Sequence, residues 1–155
     1  MKTVAQILHG KPDHPVVTIP RGATARAAAQ RMADQRVGVL LVVEGEHVVG
    51  IVSERDLARK VMPFERSADA VGVAEIMTPH IIFVDMAQTI EDCMALMTEH
   101  RLRHLPVLDH GRLAGMVSIG DVVKDLISDQ RFTIEQLEHY IAGVPVSPLR
   151  SSVAA

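Results

Sequence analysis

Two short stretches carry the residues best suited to chemistry. Ser53-Glu54-Arg55-Asp56 and Ser118-Ile119-Gly120-Asp121 each set a hydroxyl three residues ahead of a carboxylate. Each follows an apolar run, Gly50-Ile51-Val52 or Gly115-Met116-Val117, and precedes an apolar helical pattern. That spacing puts both groups where a strand hands over to a helix, whose first N–H groups carry a positive partial charge. Two uses fit. Ser-x-x-acid is a capping signature, in which the side chains satisfy the helix's own N–H groups. A carboxylate there also offers two oxygens to two adjacent hydroxyl donors, as on the cis-diol of a ribose. The uses are compatible, since Ser can cap while Asp turns outward.

The elements that must position these corners are themselves written twice. An offset of 65 aligns residues 16–57 with 81–122 without a gap. Thr24/Thr89, Met32/Met97, Arg36/Arg101, Leu40/Leu105, Val42/Val107, Gly50/Gly115, Val52/Val117, Ser53/Ser118 and Asp56/Asp121 are identical pairs. With only two copies, a closed pair is expected rather than an open array. Each copy opens on a short apolar helix, Val4 to Leu8 or Val73 to Met77, followed by a short strand, Val16–Ile19 or Ile81–Val84. Thr24 and Thr89 are placed to cap the next helix. Two strands joined by a tight turn follow, Val39–Val43 with His47–Val52 and Leu105–Leu108 with Leu113–Val117. A last helix starts after Ser53 or Ser118. The order β-α-β-β-α, given twice, predicts an α+β fold: repeat one over 1–62, a polar connection over 63–71 and repeat two over 72–130. A separate C-terminal helix is expected over 131–143, opened by a Thr133–Gln136 capping box and stopped by Gly143. Residues 144–155 read as a mobile tail.

Composition narrows the function classes. The 155 residues are 48% hydrophobic and 23% charged, with a net charge of −3, an ordinary folded chain. No basic excess supports duplex binding, and 3% aromatics leave no stacking platform for single strands. Cys93 is the only cysteine, which fits a reducing compartment and a helix core face. The N-terminal apolar run is too short for a signal peptide, and no stretch approaches a membrane span. A cytoplasmic protein without membrane or nucleic-acid partners is expected. Eight histidines show no metal-ligand spacing, so no metal is expected. Met32, Met62, Met86, Met94, Met97 and Met116 read as gap-filling core residues.

The doubled unit with Gly-apolar-Val-Ser-x-x-Asp, together with Arg103-His104-Leu105-Pro106-Val107, resembles a tandem CBS-domain protein, a Bateman module, over about residues 1–130. The stretch Thr133 to Gly143 is similar to a bacterial stand-alone CBS-pair subgroup. The resemblance implies two repeats about a pseudo-twofold axis, sheets face to face, with two clefts that hold AMP, ADP, ATP, NAD(H) or S-adenosylmethionine, AMP foremost. It also implies a homodimer and a role as an energy or redox sensor rather than an enzyme.

Residue by residue, the resemblance implies ribose contacts from Ser53, Asp56, Ser118 and Asp121, and phosphate contacts from Arg103 and His104. A guanidinium fork beside helix N-termini suits a phosphate. The register-mates of Arg103 and His104 are Gly38 and Val39, which bear no charge, so the two clefts are expected to differ. Arg55 is placed to compensate, where copy two has Gly120 and allows close backbone approach. Thr18 with Ile19, or Phe83 with Val84, together with Val39 and Pro106, would form the base slot, the alternative for each being plain strand core. Two rivals stay open: a ligand-free interaction scaffold, and an enzyme built on Asp121 with His104.

Overall fold

The computed structural model describes residues 2–11 and 16–143. The tail expected over 144–155 and His14 lie outside the described residues. The first half runs α1 (Val4–His9), β1 (Thr18–Pro20), α2 (Ala25–Gln35), β2 (Val39–Glu44), β3 (His47–Ser53) and α3 (Glu54–Lys60). The second runs α4 (Val73–Ile76), β4 (Val84–Asp85), α5 (Ile90–His100), β5 (His104–Asp109), β6 (Arg112–Ser118) and α6 (Ile119–Ile141). The doubled α+β order expected from the repeat is present, with the first strand of each copy two or three residues later than its apolar run suggested.

Each copy builds one three-stranded sheet, β1-β2-β3 or β4-β5-β6, with a parallel pair and an antiparallel hairpin. The hairpins turn at Gly45 (φ 62°) in copy one and at His110 (φ 47°) and Gly111 (φ 77°) in copy two. Even the irregularities repeat: register shifts fall at Val42/Val43 and Val107/Leu108, 65 residues apart.

The two cores are not filled in chain order. Helix α1 contributes Val4, Ile7 and Leu8 to the core of the second sheet, whereas Val71, Val73, Ile76 and Met77 around α4 fill the core of the first. Matching backbone bonds fix this exchange. Ala25 N–H donates to Val71 O at 2.8 Å and Val73 N–H to Ala23 O at 2.9 Å. In the other half, Val4 N–H donates to Gln88 O at 2.9 Å and Ile90 N–H to Lys2 O at 3.1 Å. Helices of six and four residues cannot persist alone, so docking on the opposite sheet stabilises them. Burying a side chain such as Val4 or Val73 contributes roughly 1.5–3 kcal/mol.

That exchange explains the duplicated glycine. A Cβ on Gly50 would collide with the Met77 side chain, and one on Gly115 would meet Leu8 at 3.0 Å. In each half a side chain from α1 or from the end of α4 crosses close over the strand at the glycine, more tightly at Gly50 than at Gly115.

Two expectations are corrected. The C-terminal helix is present but does not begin at Thr133: it is the end of α6, which runs unbroken from Ile119 to Ile141, and the Thr133 hydroxyl donates to Asp129 O at 3.0 Å from mid-helix. Inside a continuous helix the N–H groups that follow Thr133 already bond carbonyls four residues back, so its hydroxyl has no free N–H to cap. Gly143 (φ 69°) does supply the stop. Met62 is 80% exposed and fills no core gap, because the chain leaves α3 there for the surface connection.

Candidate functional site

Both hydroxyl–acid corners form complete capping boxes. In copy one Asp56 Oδ2 accepts from Ser53 N–H at 2.8 Å and from Ser53 Oγ–H at 3.0 Å, while Ser53 Oγ accepts from Asp56 N–H at 3.3 Å. In copy two the corresponding distances to Asp121 and Ser118 are 2.7, 2.9 and 3.2 Å. One carboxylate oxygen of each acid is therefore committed to its own chain. The strand-to-helix handover is fixed by a matching bond, Glu54 N–H to Gly38 O at 2.9 Å and Ile119 N–H to Arg103 O at 2.8 Å.

The corners differ in which carboxylate oxygen the nearby ammonium holds, the free one at Asp56 and the capping one at Asp121. Asp56 Oδ1 lies 3.0 Å from Lys60 Nζ, one turn along α3, and that ammonium also donates to Ile76 O at 2.8 Å. At Asp121 the cation comes from far away in sequence. Lys11, in the chain leaving α1, sits 2.6 Å from Asp121 Oδ2 and donates to Met116 O at 2.8 Å. Burial pushes the Asp121 carboxyl up, but Lys11 and the Ser118 N–H and hydroxyl outweigh it and hold the group below the usual carboxylate range.

A cleft of about 330 Å³ opens on the copy-one corner. Copy one supplies Gly38, Val39, Ile51, Ser53, Glu54, Arg55 and Asp56. The connection after α4 adds Thr78, which is tied to Ile51 by two backbone bonds of 2.8 and 3.0 Å. The opposite wall is Arg101, Leu102, Arg103 and His104, the end of α5 and the start of β5. The basic residues of copy two thus face the acid of copy one. Three guanidinium groups against two carboxylates give the cleft an anion-attracting balance. His104 lies between the corners. Burial first, then Lys11 and Arg103, push its imidazole below the usual 6.5, and Asp121 opposes them.

Of the residues singled out by sequence, this cleft brings together Gly38, Val39, Ser53, Arg55, Asp56, Arg103 and His104. It does not include the others. Ile19 and Val84 are buried in the first and second cores, 2% exposed each. Thr18 lies in β1 with its carbonyl taken by Arg31 Nε at 2.7 Å. Pro106 is buried in β5 opposite Met116. Ser118, Gly120 and Asp121 stand at the second corner, where Lys11 already bonds the acid.

Sequence reasoning missed Ile51, Glu54, Thr78, Arg101 and Leu102. Arg101 had left a signal: it repeats Arg36, and both end their helices in the left-handed conformation, φ 54°. That backbone is uncommon for a residue with a Cβ.

Comparison with known proteins agrees with the architecture. The CBS-domain family model matches residues 4–63 and again 73–128. The CBS domain-containing protein CBSX3, mitochondrial, of Arabidopsis thaliana is 38% identical over 125 residues, covering 77% of this chain and 61% of that protein's length. A protein with CBS domains from Burkholderia ambifaria MC40-6 whose structure is solved is 52% identical with a TM-score of 0.79, covering 83% of this chain and 96% of that one. The CBS domain protein PAE2072 from Pyrobaculum aerophilum, solved with AMP, is 26% identical with a TM-score of 0.69, covering 82% and 99%. With two matched repeats spanning most of its length, this chain belongs to the CBS-domain family.

Proposed function

We propose that the protein is a non-catalytic regulatory module that binds an adenine nucleotide, AMP foremost, in the cleft between the Asp56 corner and the Arg101–His104 wall. The observation that carries this reading is the pairing of opposite chemistries across the cleft. Ser53 and Asp56 offer a hydroxyl and a carboxylate to a ribose. Arg103, Arg101 and His104 offer donors to a phosphate, and Val39, Ile51 and Leu102 offer apolar wall to a base. Ribose hydroxyls would take Asp56 Oδ1 from Lys60, since Oδ2 serves the cap. The AMP complex of PAE2072 supports the ligand class, and NAD(H), ATP and S-adenosylmethionine share the adenosyl part.

The two corners act differently in this account. Lys11 sits on Asp121 Oδ2, the oxygen that also serves the cap, and the cleft opens on the Asp56 corner, so we take the Asp56 corner as the receptive one. Bound nucleotide would bridge the repeats and bias their arrangement, which signals only if the ligand prefers one arrangement. We place such a sensor in the cytoplasm, as a homodimer.

One observation favours a second reading, a ligand-free scaffold: both carboxylate oxygens of Asp56 already have partners within the chain, Ser53 on Oδ2 and Lys60 on Oδ1. Calorimetric titration with AMP, ATP, NADH and S-adenosylmethionine separates the two. Saturable heat with AMP, weakened in Arg103→Ala but not for adenosine, supports the phosphate assignment. Silence across the panel supports the scaffold.

A further inference from the structure

Helix α6 is longer than the core it serves. Its inner face is spent within two turns, where Val122 is 1% and Asp125 7% exposed and Leu126 packs on the second core. From Ile127 to Ile141 no residue is buried. Fifteen residues rise about 22 Å, so most of the helix runs clear of that core.

This stretch is not polar. Val123, Ile127, Ile134, Leu137 and Ile141 are between 46% and 84% exposed. With Gln130 they recur at alternating steps of four and three, 123, 127, 130, 134, 137, 141. That is a heptad repeat with Ile127, Ile134 and Ile141 at every a position and Val123, Gln130 and Leu137 at d. A period of 3.5 keeps one seam facing a like helix, and within parallel coils β-branched residues at a with Leu at d, here Leu137, favour two strands. In that parallel register Leu126 meets Arg131 of a second copy and Thr133 meets Glu138, so no like charges oppose. An antiparallel register would pair Lys124 with Glu138 but set Arg131 against Arg131 and Gln130 against the apolar Ile134. In the parallel register the two Gln130 amides face and can bond each other. A shallow apolar groove lined by Leu126, Asp129, Gln130, Thr133 and Ile134 already runs along this side. The helix needs no separate nucleation, because its first turns are anchored on the core.

We infer that residues 123–141 of α6 pair in parallel with the same helix of a second copy, a two-stranded coiled coil that makes the protein a homodimer. The inference does not depend on nucleotide binding, and it gives the proposed dimer a specific seam. Sedimentation equilibrium of the full chain across a concentration series should return twice the chain mass. Ile134→Asp with Leu137→Asp should return the chain mass with unchanged unfolding of the globular part. Leu137→Cys should cross-link rapidly under mild oxidation, since Cys93 is fully buried and the d positions meet only in the parallel pair. The cross-link decides the matter if the acidic variant fails to fold. A monomeric native chain overturns both the seam and the dimer. A dimer that survives the double substitution, or introduced thiols that fail to link, overturns the seam and leaves a dimer through another surface.

Discussion

Lys11 holds the carboxylate of Asp121 at 2.6 Å across 110 residues of chain. This pair ties the N-terminal segment to the helix corner of the opposite repeat. Lys11→Met should cost about 1 kcal/mol near neutral pH, the upper end for a partly exposed pair. Asp121 titrates lower in the folded chain than its usual 3.8. Its contribution is therefore present above that value and lost as pH falls through the folded one. Urea unfolding of both proteins should show a gap that closes on strong acidification. A gap that is the same at every pH would mean that Lys11 acts through packing alone.

His104 should give a pH dependence in a milder range. Burial, Lys11 and Arg103 lower its pKa from 6.5, with only Asp121 opposing. The unfolded chain then takes up the proton first as pH falls, so stability drops below 6.5 until the folded imidazole titrates too. Between about pH 7.5 and about pH 5.5 the native protein should lose stability more steeply than His104→Gln. Equal slopes would show that the imidazole is not held neutral.

The crossing of the two short helices predicts which glycines are indispensable. Gly50→Ala should destabilise by about 1–3 kcal/mol, because the new methyl displaces Met77 and the strand is fixed by its pairing to Thr78. Gly115→Ala should cost less, since Leu8 at 3.0 Å can give by a few tenths of an ångström. Gly22→Ala, with nothing within 4 Å, should be neutral within about 0.5 kcal/mol. Thermal unfolding of the three variants ranks them. Equal effects at Gly50 and Gly22 would contradict the crossing.

Much of the fold was legible because the duplication states each element twice. Thr24 and Thr89 cap as their spacing required, and the hairpins turn where Gly45 and Gly111 stand. The exchange of α1 and α4 between cores was not legible. An apolar stripe such as Val4-Ile7-Leu8 says that a face is buried, not against which sheet. At the site, Ser53 and Asp56 were read both as a cap and as a ribose grip. The structure shows the cap, because the capping bonds are local and need no ligand. Register puts Arg103 and His104 at the entry to a strand, aligned with Gly38 and Val39 of the other copy, and says nothing of which corner they meet. The fold keeps His104 beside Ser118 of its own copy and also brings Arg103 and His104 into the cleft with Asp56, a long-range relationship that no spacing encodes. Residues such as Ile19 and Val84 alternate as any strand core does, and they are buried in the cores.

The central claim concerns what Asp56 does beyond its cap. Asp56→Asn keeps an acceptor for the Ser53 N–H and removes the charge and the second carboxylate oxygen, so the helix corner should survive. The decisive measurement is calorimetric titration of AMP into the native protein and Asp56→Asn, with unfolding curves of both. The account predicts saturable binding to the native chain and a dissociation constant raised on the order of tenfold or more in the variant, at nearly equal stability. Equal affinity in the two proteins, or no binding to the native one, would contradict it.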